Sequence, residues 1–146
     1  GGDITFHGYG QIVGYPVIDL ENFYTDINRY LRTLEEIVIS TLNFYKISSQ
    51  RSSGETGVWL EPNSPNSRKI CAIGVKTSRW VTMHGFALNV DTDLRYYDYI
   101  IPCGIRGKGI TSINKEVKKI VSINEVKEKL LENLKKTFHA NLIFSI

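Results

Sequence analysis

Between Val58 and Val90 the chain offers one strand-like segment after another, with no helical pattern between them. Val58-Trp59-Leu60 reads as a short strand, and Lys69 to Lys76 (KICAIGVK) as an apolar one. Trp80 to Met83 and Phe86 to Val90 supply two further pieces. Strands joined by short polar turns pair as antiparallel neighbours, because a parallel partner needs a long crossover. The segment from Glu61 to Ser67, with two prolines and two asparagines, reads as a hairpin loop. A sheet built from this run is therefore mostly antiparallel or mixed.

Amphipathic helices stand on either side of the run. Phe23, Ile27, Tyr30, Leu31, Leu34, Ile37, Val38 and Leu42 follow a 3.6-residue period, with Asn22 as the expected cap. Val126, Leu130, Leu134 and Phe138 mark a second helix beginning near Asn124. Ile12 to Leu20 reads as a strand that Pro16 bends or places at an edge. Ser48 to Thr56 is polar and turn-like, Leu94 to Ile101 fits a short helix or a strand, and Asn141 to Ile146 reads as a final strand. The expected fold is one α/β (α+β) domain over residues 1–146, a mixed, largely antiparallel sheet flanked by helices.

Composition narrows the function classes. Apolar residues make up 42% and charged residues 23%, enough for a folded core. No apolar run approaches the roughly 18–20 residues that cross a bilayer, so no membrane role is expected. Two cysteines are too few for a disulfide scaffold, and a reducing cytoplasm is the simpler setting. The formal charge of +3 mildly favours acidic partners. Lys115, Lys118, Lys119, Lys127, Lys129, Lys135 and Lys136 read as a solvated helical face, and without aromatic–basic interleaving no nucleic acid is expected. The chain opens inside a glycine-rich loop, Gly1-Gly2-Asp3-Ile4-Thr5-Phe6-His7-Gly8, with no lead-in. The expectation is a domain lacking its N-terminal segment.

Cys103 is the sharpest candidate for chemistry. Pro102 and Gly104 hold it in a tight turn that can present the sulfur, and a nearby cation that lowers the thiol pKa makes it reactive. The bland reading is a small buried hydrophobe, and that is the reading for Cys71, which sits mid-strand between Ile70 and Ala72. His7 and His84 each precede a glycine and qualify as pocket residues, whereas His139 suits a helix end. No CxxC, HxH or HExxH spacing occurs, and neither a Walker loop nor a dinucleotide fingerprint is present, so no metal and no cofactor are expected. Lys69 by default is an edge residue with a solvated ammonium; drawn into a pocket, it becomes a proton carrier.

Taken together, these motifs match a known pattern. GGDITFHGYGQIVGYPVIDL resembles the glycine-rich signature of lipoyl(octanoyl) transferases, the octanoyl–acyl-carrier-protein:protein transferases. TGVWLEPNSPNSRKICAIGVKTSRWVTMHGFALNVDTDLRYYDYIIPCGI resembles the central block of the same family. The resemblance runs in order from Gly1 to about Thr111. Tyr9 stands where the family usually has proline and Phe6 where tyrosine is common, and the family's arginine before the two glycines falls ahead of Gly1.

The resemblance implies a fold shared with lipoate and biotin protein ligases, built around an acyl-binding tunnel. It implies that Cys103 is the acyl-thioester nucleophile and that Lys69 lowers its pKa and moves protons. The acyl-binding segments fall on Gly1, Gly2, Asp3, Ile4, Thr5, Phe6 and His7, on Ala72, Ile73 and Gly74, and on Gly85, Phe86 and Ala87. The side chains of Ile73, Phe86 and Leu88 are expected to line the acyl sleeve, and backbone amides near Gly74 or Gly104 to hold the oxyanion. The implied reaction moves octanoyl from acyl carrier protein to a lysine of a lipoyl domain, in 2-oxoacid dehydrogenases or the glycine cleavage H protein, as the first step of protein lipoylation. Thioester exchange followed by amide formation runs downhill without ATP. Two alternatives stand beside it: an ATP-dependent lipoate or biotin ligase, which needs the lysine but no nucleophilic cysteine, and a non-catalytic acyl-binding module.

Overall fold

The computed structural model describes residues 5–100, 108–141 and 143. Among them a six-stranded sheet forms, with strands β1 (Gln11–Gly14), β2 (Gln50–Ser52), β3 (Glu55–Leu60), β4 (Arg68–Ser78), β5 (Val81–Asn89) and β6 (Gly109–Ile110). The order is β1-β5-β4-β3-β2, antiparallel at every step, while β6 pairs in parallel with the start of β4. The sheet is thus mixed and largely antiparallel, the antiparallel part coming from the run of strands expected from the sequence.

The two pieces read from Trp80 to Val90 are one strand. Arg79 and Trp80 both take left-handed φ, 48° and 63°, which makes the tight hairpin turn whose twist matches the strands on either side. His84 also takes φ of 63° inside β5, at the point where the sequence pattern breaks. The strand expected from Ile12 to Leu20 is shorter. β1 ends at Gly14, Pro16 follows, and the chain re-engages β5 through Thr82, whose hydroxyl donates to Pro16 O at 2.8 Å and accepts from Ile18 N at 2.9 Å. Gly85 lets this crossing happen, since a Cβ there would sit 2.1 Å from Gly14 O and 2.7 Å from Pro16 Cδ.

Helix α1 (Ile27–Phe44) starts later than the apolar pattern suggests. Leu20–Asn22 forms a separate 3-10 turn, and the cap of α1 is Asp26, whose side chain accepts from Arg29 N at 2.9 Å. Asn22 is therefore not the cap. Tyr30, Leu34, Ile37, Val38 and Leu42 of α1 are buried in one cluster with Leu88, Phe86, Cys71 and Val58 of the sheet. Helix α3 (Ile123–Phe138) packs against α1 with Val126, Leu130 and Phe138 buried, close to the expected start. Phe138 meets the Phe23 ring edge-on at 5.4 Å. A short helix, α2 (Ile113–Val117), and strands β2 and β6 have no counterpart in the sequence reading, and Leu94–Tyr99 resolves as a 3-10 turn. Most of the tail expected as a strand lies outside the described residues. Among the described residues no helix is long and apolar enough to cross a membrane.

Candidate active site

The sheet splits at the start of β4. From Cys71 onward β4 pairs with β5, but at Arg68 and Lys69 its neighbour on that side is β6. Asn89, at the end of β5, spans the gap: its Nδ2 donates to Thr111 O at 3.0 Å, while Thr111 N donates to Lys69 O at 2.9 Å. A pocket opens at this fork; its lining includes Trp59, Lys69, Ala72, Asn89, Tyr97 and Lys108, with Thr5, Ile70, Gly109 and Ile110 completing it among the described residues.

Lys69 is buried, 8% exposed, and is no solvated edge residue. A register shift between Val58 and Trp59 sets Trp59 directly across from Lys69. The Lys69 Nζ lies 4.5 Å from the centre of the Trp59 ring. The lysine stem passes Gly57, whose φ of 117° and missing side chain leave the space; a Cβ there would lie 2.6 Å from Cys71 O. Gly57 in turn is pinned from below, because its N–H donates to the buried Glu35 carboxylate at 3.0 Å. Arg32 and Arg51 hold the other Glu35 oxygen at 2.7 and 3.1 Å, so the buried charge is paired.

A second cation shares the ring. Lys108 Nζ stands 4.8 Å from the Trp59 centre and donates to Glu55 Oε2 at 2.5 Å. Burial opposes ionisation of Glu55, but hydrogen bonds from Lys108 and Ser52 and the field of Lys69 outweigh it and hold the carboxyl below its ordinary value. Arg68, next to Lys69, is engaged elsewhere: its Nε and Nη2 grip Glu116 of α2 at 2.7 and 2.8 Å, and its Nη1 reaches Glu61 at 2.7 Å.

Above the fork, Gln11 Nε2 donates to Asn89 Oδ1 at 2.8 Å and to Tyr97 Oη at 2.9 Å. Phe6 stacks on Tyr96 with ring centres 5.0 Å apart. His7 is exposed and bonds Gln11 Oε1 at 3.1 Å, and His84 is exposed beside Tyr15, so neither forms the pocket wall. Of the two histidines and Lys69, the fold brings only the lysine to the pocket.

Strand alternation sorts the expected acyl-binding segments. Ala72 pairs with Ala87 and Gly74 with Gly85, so these small residues share the face that carries the pocket. Ile73, Phe86 and Leu88 point the other way, into the core with α1. Their side chains cannot line a sleeve on the pocket face, which corrects that expectation. Among the described residues, Gly74 has nothing within 4 Å of where a Cβ would stand, whereas the Gly14–Pro16 crossing covers Gly85. The open part of the small-residue face is therefore Ala72 and Gly74. Cys71 belongs to the core face, and burial pushes its thiol far above the ordinary range. Cys103, Gly104, Gly1, Gly2, Asp3 and Ile4 lie outside the described residues.

Sequence reasoning missed Trp59, Asn89, Tyr97 and Lys108. Asn89 carried one signal, a polar residue closing the apolar run Phe86-Ala87-Leu88. The others reach the pocket through pairings distant in sequence, which no local pattern encodes. Among the described residues no group of three or more His, Cys, Asp or Glu side chains converges on a metal-sized site.

Comparison with known proteins follows the same lines. An octanoyltransferase of Christiangramia forsetii is 62% identical over 143 residues, 97% of this chain and 61% of the relative. One of Flavobacterium johnsoniae is 63% identical over 145 residues, 98% of this chain and 62% of the relative. The chain thus spans about three fifths of the length of these curated relatives. A bipartite lipoate protein ligase from Thermoplasma acidophilum superposes with a TM-score of 0.68 at 20% identity, over 99% of this chain and 58% of that one. Biotin protein ligase from Aquifex aeolicus gives 0.64 at 16% identity, over 89% and 53%. The expected ligase-like fold is borne out by these superpositions. Residues 1–135 match the lipoyl protein ligase A/B catalytic domain, and the chain belongs to that family.

Proposed function

We propose that this chain carries the catalytic domain of an octanoyltransferase, which moves a medium-chain acyl group to a protein lysine through a thioester on Cys103. The observation that carries the reading is a lysine ammonium buried at the fork of the sheet, beside an open track of small residues. The acyl chain lies along Ala72 and Gly74, with its carbonyl toward Lys69. Cys103 and Lys69 share one proton as a thiolate–ammonium pair, and the thiolate attacks the donor thioester carbonyl. A new C–S bond forms, the donor's C–S bond breaks, and the leaving thiolate takes the proton from Lys69. In the second half the acceptor amine attacks the enzyme thioester, Lys69 takes its proton, and the proton returns to the Cys103 thiolate as the amide is released.

The donor in this reading is octanoyl-acyl carrier protein, and the acceptors are the lipoyl domains of 2-oxoacid dehydrogenases and the glycine cleavage H protein, in the cytoplasm. No cofactor takes part. The names of the relatives and the mild basic charge support it. A second reading, ATP-dependent ligation, is favoured by the ligase superpositions. The test is intact mass after incubating the chain with octanoyl-acyl carrier protein, without acceptor and without ATP. One octanoyl mass, released by hydroxylamine, is expected; Cys103→Ser abolishes it and Cys71→Ser retains it. Labelling of Cys71, or acyl transfer only with ATP, overturns the reading.

A further inference from the structure

Proton transfer by one lysine does not require a second lysine on the same ring, yet Trp59 gathers both Lys69 and Lys108, at 4.5 and 4.8 Å. Two like charges drawn to one buried indole oppose each other, and more strongly where water is excluded. Glu55 answers this opposition. Its Oε2 accepts from Lys108 at 2.5 Å and from Ser52 Oγ at 2.6 Å, so the carboxylate is fixed against one ammonium and within the field of the other. Glu55 and Trp59 both belong to β3, which ties the ring and the counter-charge to one rigid element.

We propose that Glu55 and Lys108 are positioning residues that set the proton affinity of Lys69, and with it the pH window of the proton transfers assigned to that lysine. The inference rests on the proposed acyl transfer only for its catalytic consequence. The other charged and titratable groups around Lys69 among the described residues are already engaged. Arg68 of β4 is bound to Glu116 of α2 and to Glu61. Glu35 of α1 is held by Arg32, Arg51 and Gly57 N. Cys71 of β4 is buried in the core, and the Tyr97 hydroxyl accepts from Gln11. Among the described residues, Glu55 and Lys108 are a charged pair at the same ring as Lys69, and the Lys69 field reaches Glu55.

The signs of the two halves are opposite. Without the Glu55 charge, Lys108 stands unbalanced and disfavours the protonated form of Lys69, so its pKa falls. Without Lys108, the Glu55 carboxylate stands unbalanced and favours that form, so its pKa rises. For partly exposed groups in a high effective dielectric, each change is worth on the order of half to one pKa unit. The double change cancels most of the effect.

The experiment titrates the full chain, labelled with 13C-lysine, by NMR, with the Lys69 signal assigned through Lys69→Arg. Glu55→Gln is expected to lower the Lys69 midpoint and Lys108→Met to raise it, each by about half a unit or more. The double variant returns close to the starting value, and Glu55→Asp, which keeps the charge, does so as well. A merely structural role moves both single variants in the same direction or neither, and either result overturns the inference, as does a double variant that shifts further. The catalytic reading fails separately: opposite shifts at Lys69 with no octanoyl loading on Cys103 leave the charge balance standing and remove the acyl transfer. Loading with an unmoved Lys69 midpoint does the reverse.

Discussion

Lys69 and Trp59 stand opposite each other on paired strands, with the lysine Nζ 4.5 Å from the centre of the indole. The ring face offers a buried ammonium an electrostatic partner that does not neutralise it. A carboxylate in the same place would hold the proton more firmly.

If that ammonium stabilises a Cys103 thiolate, Lys69→Ala raises the thiol pKa toward about 8.5 and slows alkylation at neutral pH. The pH profile of iodoacetamide labelling moves to the alkaline side. Arg68→Ala is no neutral control, since it removes the paired hydrogen bonds to Glu116. It lowers stability by about 1–3 kcal/mol without moving the alkylation profile. Lys76, exposed further along β4, is the neutral position.

Gly57→Ala is expected to be costly for two reasons. The backbone there has φ of 117°, and the new Cβ meets Cys71 O at 2.6 Å. A loss of about 1–3 kcal/mol follows from the strain alone. Urea unfolding should show a lower midpoint with an unchanged slope, and an unaltered midpoint would remove the role given to this glycine.

Gly74→Val tests the acyl track. Among the described residues nothing lies within 4 Å of the new Cβ, so the protein folds with little change in melting temperature. The valine stands where the far end of the chain would run. Octanoyl transfer falls by about tenfold or more while shorter acyl donors are spared, on the usual worth of a methylene or two in a fitted site. Equal loss for every chain length would place the acyl group elsewhere.

Glu116 makes stability sensitive to acid. The Arg68 hydrogen bonds outweigh burial, and together with Thr111 they hold its carboxyl below the ordinary value of 4.5. A lowered carboxylate contributes stability that is complete above its unfolded pKa and is lost as pH falls through the lower folded value. Urea midpoints measured from about pH 6 down to about pH 3 decline less steeply in Glu116→Gln than in the parent.

The sequence by itself determined the strand run, both long helices and the burial of Cys71, because hydrophobic period and local composition are properties of neighbouring residues. Even there, the start of α1 went to Asp26 rather than Asn22, since a cap is decided by which side chain reaches a free N–H and not by where the apolar stripe begins. The site needed tertiary structure. That Lys69 is buried follows from β6 entering beside β4 and from the register shift that sets it across from Trp59. That Ala72 and Gly74 face the pocket while Ile73, Phe86 and Leu88 face α1 follows from the phase of two paired strands, and a single-residue slip would exchange the faces. Glu55 and Lys108 meet across 53 positions of sequence, an encounter fixed by sheet topology, which no local pattern of residues contains.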